Sequence, residues 1–148
     1  MKATLSQPTF VSSTSATRAQ GRAPLAGAVS GVPHVLLRLE GAIALAAASA
    51  AYAHLGGRWG TFALLFLLPD LSMLGYLAGP RWGSAAYNAA HTYLAPALLA
   101  ALGVLLGTNA LVALACIWAA HVGFDRMLGY GLKYGTAFGD THLGRKGR

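Results

Sequence analysis

The chain has 148 residues, of which 55% are hydrophobic and 10% charged, and it carries a net charge of +7. Soluble domains hold roughly 25% charged residues. A chain this short cannot hide so much apolar surface in a water-soluble core, so lipid is expected as the solvent for part of it. The basic residues sit mainly at the two ends and are not interleaved with aromatics, which speaks against a nucleic-acid stacking surface. A basic fringe facing anionic lipid accounts for the charge. Cys116 is the single cysteine and lies in an apolar stretch, so no intrachain disulfide can form and it reads as a small buried hydrophobe.

Residues 1–30 contain no Asp or Glu, and Pro8, Pro24 and Pro33 punctuate the region. No apolar run before Pro33 is long enough for a secretory h-region, so residues 1–33 are expected to form a disordered basic tail. Four apolar stretches follow. The first, residues 34–55, ends at Gly56-Gly57. The second, 61–78, is broken by Gly79-Pro80-Arg81-Trp82-Gly83. The third, 84–106, is closed by Gly107-Thr108-Asn109, and the fourth covers 110–130, leaving 131–148 as a basic tail. Each is near the roughly 20 residues needed to cross the hydrocarbon core. Helices are the expected element, because open strands would leave backbone groups unpaired in lipid. The predicted fold is all-α: a polytopic membrane protein whose transmembrane domain, residues 34–130, is a compact antiparallel four-helix bundle. Small residues such as the 46–51 run would let its helices approach closely. Trp59 and Trp82 fall in turns, where interfacial aromatics belong.

Four spans put both termini and the 79–83 turn on one side. That side carries Lys2, Arg18, Arg22, Arg81, Lys133, Arg145, Lys146 and Arg148, against Arg58 opposite. The positive-inside rule then places both termini in the cytoplasm, with the protein in the cytoplasmic (inner) membrane.

Ionisable groups inside spans are costly and mark polar interiors. Here they are Arg38 and Glu40 in the first span, Asp70 in the second, Asn88 and His91 in the third, and His121, Asp125 and Arg126 in the fourth. At a rise of 1.5 Å per residue, Arg38 lies roughly 6 Å from the cytoplasmic end of its span, Glu40 roughly 9, Asp70 roughly 12, His91 roughly 11, His121 roughly 13 and Asp125 roughly 7 Å. The groups therefore share one layer in the cytoplasmic half. His121 and Asp125 are four apart and project from one face, as do Tyr87, Asn88 and His91 at spacings of three and four. Asp70 follows Pro69, whose ring interrupts the helical ladder, and a broken helix can line a cavity. Pro96 is expected to bend the third helix just beyond the layer.

Three chemistries fit this layer. Histidines His91 and His121 with carboxylates Asp70 and Asp125 suit a divalent metal such as zinc, iron or manganese, and an open position would permit activated-water chemistry. His142 would add a third histidine were the tail to fold back. Alternatively, His and Asp exchange protons along an ion path. In the third reading, Arg38, Glu40, Asp70, Asp125 and Arg126 satisfy one another as a buried ion-pair network. The matching functions are a metal-dependent membrane hydrolase acting on an amphipathic substrate with Asp70 or Glu40 as base, a small transporter or proton-coupled subunit, and a structural or assembly protein. A transporter of only four spans would need a second copy, so a homo-oligomer joins the lipid bilayer as candidate partner. His34 and His54 read as interfacial, and Met73 and Met127 as packing residues. The chain has no P-loop, no His-Glu-x-x-His and no cysteine pair.

The strings Leu37-Arg38-Leu39-Glu40, Pro69-Asp70-Leu71-Ser72-Met73-Leu74-Gly75-Tyr76, Tyr87-Asn88 with His91, His121-Val122-Gly123-Phe124-Asp125-Arg126, Gly129-Tyr130-Gly131-Leu132-Lys133-Tyr134 and Thr141-His142-Leu143-Gly144 stand out together. Over about residues 35–145 the chain resembles a family of small bacterial membrane proteins filed as a domain of unknown function (four-two-six-zero). The resemblance implies a four-helix integral membrane protein and no established activity, substrate or cofactor. The family's polar signature falls on the residues reached above by depth, and includes His142. A looser likeness to membrane-bound metal-dependent hydrolases, which also carry a Pro-Asp and scattered helical histidines, transfers no catalytic role, because order and spacing differ.

Overall fold

The computed structural model describes residues 25–146. Most of the expected N-terminal tail lies outside the described residues. Among those described, four helical segments are long and apolar enough to cross a membrane: Gly31–His54, Trp59–Ala78, Pro80–Leu105 and Asn109–Leu128. The fold is all-α apart from one short C-terminal hairpin. The first and last segments are single helices, α1 (Gly31–His54) and α5 (Asn109–Leu128). The middle two are each broken.

The second segment begins as α2 (Trp59–Phe66) and continues as a 3-10 helix over Leu68–Ala78. Pro69 is the cause. It offers no N–H, and its ring collides with the carbonyl four residues back, so the α ladder cannot pass it. Asp70 N–H bonds Leu67 O instead, an i to i−3 contact of 3.1 Å. Runs of 3-10 helix beyond three or four residues are uncommon. Their rise of about 2.0 Å per residue sets Asp70 roughly 16 Å from the Ala78 end of its segment, deeper than an α-helical count implies.

The third segment is α3 (Pro80–Ala90) followed by α4 (Leu94–Leu105). The break falls at residues 91–93, inside the polar layer rather than just beyond it. Pro96 explains the position: its ring excludes a helical carbonyl at Thr92. As the third residue of a new helix its missing N–H costs nothing, since the first-turn donors have no intrahelical partner anyway. The break orphans two carbonyls, and α5 serves both. Trp118 Nε1 donates to Ala90 O at 2.6 Å, and Arg126 Nη2 donates to His91 O at 2.9 Å.

Helix α5 is the central element, packed against α1, α4 and α2, while α3 packs on the 3-10 helix. It buries Ala115, Ile117, Ala120, His121, Val122, Gly123 and Arg126. Large apolar side chains elsewhere face outward, Leu77 and Leu105 being 88% and 83% exposed, as a lipid-facing surface requires. The α1–α5 crossing depends on two glycines. A Cβ on Gly123 would stand 2.6 Å from Leu45 N and 2.8 Å from Gly41 O, and one on Gly41 would stand 2.5 Å from the Arg126 Cβ. Small residues here let two backbones touch, the usual route to association in lipid, where no hydrophobic force separates helix from solvent.

Helix α5 ends at Gly129, whose φ of +84° gives the left-handed cap. Two cations then meet its last carbonyls, Arg38 Nε donating to Met127 O at 2.8 Å and Lys146 Nζ to Leu128 O at 2.9 Å, while Arg126 Nη1 donates to Tyr130 O just beyond the helix at 2.8 Å. Positive charge at a helix C-terminus is favourable. Residues 131–146 fold back against the bundle. Strands β1 (Asp140–Thr141) and β2 (Gly144–Arg145) pair antiparallel, and Asp140 accepts from Arg145 Nε at 2.7 Å and from Thr136 Oγ1 at 2.8 Å. Residues 25–30 run beside this cap, with Val29 N–H on His142 O at 2.8 Å and Tyr134 Oη on Gly27 O at 2.9 Å.

The Gly41–Gly123 crossing predicts that Gly123→Leu, which drives a side chain into the α1 backbone, lowers stability by at least about 1–3 kcal/mol. Thermal unfolding in detergent checks this; an unchanged transition would show that α1 and α5 are not held at this distance.

Candidate metal centre

Both helix breaks deliver a polar group to the same place. Asp70 stands in the first turn after the Pro69 break and His91 terminates α3, while unbroken α5 contributes His121 and Asp125 from one face. The donor atoms of Asp70, His91 and His121 all lie within 4.8 Å of one another. His91 Nε2 is 3.4 Å from Asp70 Oδ1 and 3.2 Å from His121 Nε2, and His121 Nε2 is 3.5 Å from the same Asp70 oxygen. Asp125 Oδ2 stands close by, 3.6 Å from His91 Nε2 and 4.0 Å from His121 Nε2.

Burial sharpens the arrangement. The His91 and His121 side chains are 0% and 2% exposed, Asp125 is 14% and Asp70 35%, so Asp70 is the member that a solute meets first. His91 Nδ1 lies 2.9 Å from Tyr87 O. A carbonyl only accepts, so this nitrogen carries the proton and Nε2 offers its lone pair to the cluster. The Tyr87 ring stacks on His91 at 3.7 Å between centroids, and its hydroxyl donates to Asp125 Oδ2 at 3.0 Å. On the other side Phe66 meets the His121 ring edge-on at 5.2 Å.

The remaining expected members go elsewhere. Arg126 is buried, but it bonds the His91 and Tyr130 carbonyls. Arg38 is exposed and bonds the Met127 carbonyl; Glu40 is exposed on α1. Among the described residues the arginines of this layer therefore cap helix ends instead of pairing with its carboxylates. Asn88 clamps the C-terminal cap: Nδ2 donates to Lys133 O at 2.9 Å, and Lys133 N–H donates to Oδ1 at 2.7 Å. His142 does fold back, yet its Nδ1 accepts the Leu132 N–H at 2.8 Å and it stands apart from the three donors.

Lys133 counts in the sequence among the basic residues on the side of the termini. It is buried, its ammonium lying 3.3, 4.5 and 5.3 Å from the ring centres of Phe138, Tyr87 and Tyr76. Burial pushes its pKa below the usual lysine value, with the charges of Asp125 and Asp70 opposing the shift. A cation thus caps the Tyr87–His91 stack. Sequence reasoning also passed over Trp118 and Asp140. Trp118 stands three residues before His121, on the same helical face, and Asp140 is one of only four acidic residues in the chain.

The model of the family described as Domain of unknown function (DUF4260) matches residues 34–146, and the chain belongs to that family. No curated protein matches it, and no solved structure matches it. The matched range runs through the cap, which makes residues 131–146 part of the family's domain.

His142 makes the cap sensitive to acid. Burial, then the positive charge of Arg126, lowers its pKa from the ordinary histidine value. The unfolded ring, with a pKa near 6.5, binds protons that the folded one refuses. The contribution is therefore complete above about pH 6.5 and is lost as pH falls through the lowered folded value. Protonation also places a hydrogen on the nitrogen that accepts Leu132 N–H. Hydrogen exchange, corrected for intrinsic rates, should show residues 131–146 less protected at about pH 5 than at about pH 7.5, with the difference gone in His142→Asn. Equal protection at both would remove His142 from this role.

Proposed function

We propose that this protein is a multi-pass protein of the cytoplasmic membrane that holds a divalent transition metal, zinc foremost, through Asp70, His91 and His121. The supporting observation is the mutual spacing of three donor atoms at 3.4, 3.5 and 3.2 Å. Zinc bonds of about 2.0–2.1 Å at tetrahedral angles put neighbouring ligand atoms roughly 3.3–3.4 Å apart. The preset tautomer of His91 adds to this, since metal-binding histidines usually donate their other nitrogen to a carbonyl or carboxylate.

Three protein donors with a fourth position open are the mark of a catalytic site. A metal bound there supplies a Lewis acid and a more acidic water. Asp125, with Oδ2 at 3.6 Å from His91 Nε2 and oriented by the Tyr87 hydroxyl, would accept a proton as general base. Asp70 binds at the accessible edge. Metal-assisted hydrolysis is the reaction class that this set serves. The basic 79–83 turn and the C-terminal cap lie at the same end of the bundle as the cluster, which supports placing that end, and both termini, in the cytoplasm.

The test is the metal content of detergent-purified protein without a histidine tag. Near-stoichiometric metal is expected, absent from His91→Ala and His121→Ala. Glu40→Gln is expected to retain it, and Asp125→Asn to bind about 10–100-fold more weakly, as second-shell changes do. Metal content unchanged in both histidine variants would sink the reading.

A further inference from the structure

An apolar cavity of about 260 Å³ opens beside the cluster, walled by Leu68, Pro69, Ser72, Ala90, Leu114 and Trp118 among others. Its walls include close chain neighbours of the cluster residues. Pro69 and Ala90 are the chain neighbours of Asp70 and His91, and Trp118 stands one turn before His121. The 3-10 helix makes this possible: at three residues per turn Pro69 and Ser72 eclipse on one face, and Asp70 projects from the next.

Two polar groups in this wall are distinguishable by their bonding. Trp118 spends its indole N–H on the Ala90 carbonyl, which leaves an apolar ring surface. Ser72 Oγ is buried and, among the described residues, has no hydrogen-bond partner. Buried hydroxyls are almost always bonded, so an unpaired one in the wall of an apolar cavity points to a ligand acceptor. The cavity lies between three of the membrane-crossing segments, Trp59–Ala78, Pro80–Leu105 and Asn109–Leu128. A carbon group occupies about as much space as a water, roughly 30 Å³, so there is room for on the order of ten carbons, a stretch of one chain and not two.

We propose that this cavity binds the chain of a single-chain acyl amphiphile, with Ser72 Oγ–H donating to the carbonyl or carboxylate oxygen at the chain's head. The head then lies at the edge where Asp70 is accessible. The proposal rests on the metal reading for what happens to the head, and is independent of it for the binding of the chain.

The probe is a fatty acid brominated along its chain, added to detergent-purified full-length protein carrying Trp59→Phe and Trp82→Phe. Trp118 is then the sole indole. Saturable quenching of its fluorescence is expected, displaced by the same fatty acid without bromine. Ala90→Leu, or Leu114→Phe should the former not fold, fills the cavity and abolishes the saturable part while bound metal is unchanged. Ser72→Ala keeps the cavity and weakens binding. Quenching that rises linearly with probe, resists competition and persists in the filled variants would mean that Trp118 meets bulk acyl chains only, and would overturn the proposal. Metal content is read on the same samples. Saturable quenching without metal refutes the metal reading alone, and metal without saturable quenching refutes the acyl site alone.

Discussion

A carbonyl released from a helix in the middle of a bilayer has no water to bond, and leaving it unpaired costs several kcal/mol. This chain creates such carbonyls at residues 90 and 91, where Pro96 forbids the helix to continue. Trp118 and Arg126 on α5 answer them. Much else depends on those two bonds. They hold the end of α3 against α5, which brings His91 to His121. They also turn the Arg126 guanidinium to the His91 carbonyl, and among the described residues it forms no ion pair with Asp125 or Asp70. The acidic groups remain available to face the histidines.

The positions of Trp118 and Arg126 depend in turn on how tightly α5 is held. It touches α1 backbone to backbone at Gly41 and Gly123, and its C-terminal carbonyls are capped by Arg38 and Lys146. A helix fixed at both a crossing and a terminus is a rigid ruler for side chains four residues apart. His121 and Asp125 are therefore the fixed half of the cluster. Asp70 and His91 are the half set by local backbone departures, one into 3-10 geometry and one into a break.

Around the cluster the supporting groups form a chain of contacts leading outward: His91 stacked on Tyr87, Tyr87 hydrogen-bonded to Asp125 and covered by the Lys133 ammonium, and Lys133 held by Asn88 through its backbone. The cap thereby reaches the donors through a single aromatic residue. Segments 25–30 and 131–146 are held by this docking, by the Val29–His142 and Tyr134–Gly27 hydrogen bonds and by the hairpin hydrogen bonds around Asp140.

The sequence by itself determined four segments long and apolar enough to cross a membrane, and their helical nature. These follow from local quantities: run length, the cost of bare backbone in lipid, and a fixed rise per residue. It also determined that His121 and Asp125 share a face, because α5 is regular. Only the tertiary structure decided which polar residues meet. Glu40 and Arg38 stand at a similar depth to Asp125, but Glu40 is exposed on α1 and Arg38 turns to the α5 C-terminus, since depth carries no information about rotation around a helix axis. His142 returns to the bundle, as its place in the family signature hinted, yet a backbone N–H claims its nitrogen. Asp70 needed the 3-10 winding after Pro69 to turn toward the histidines, and Ser72 to turn toward the cavity. A proline announces that a helix will change, whereas the direction in which the chain leaves the break is set by the partners that α5 offers to its freed carbonyls.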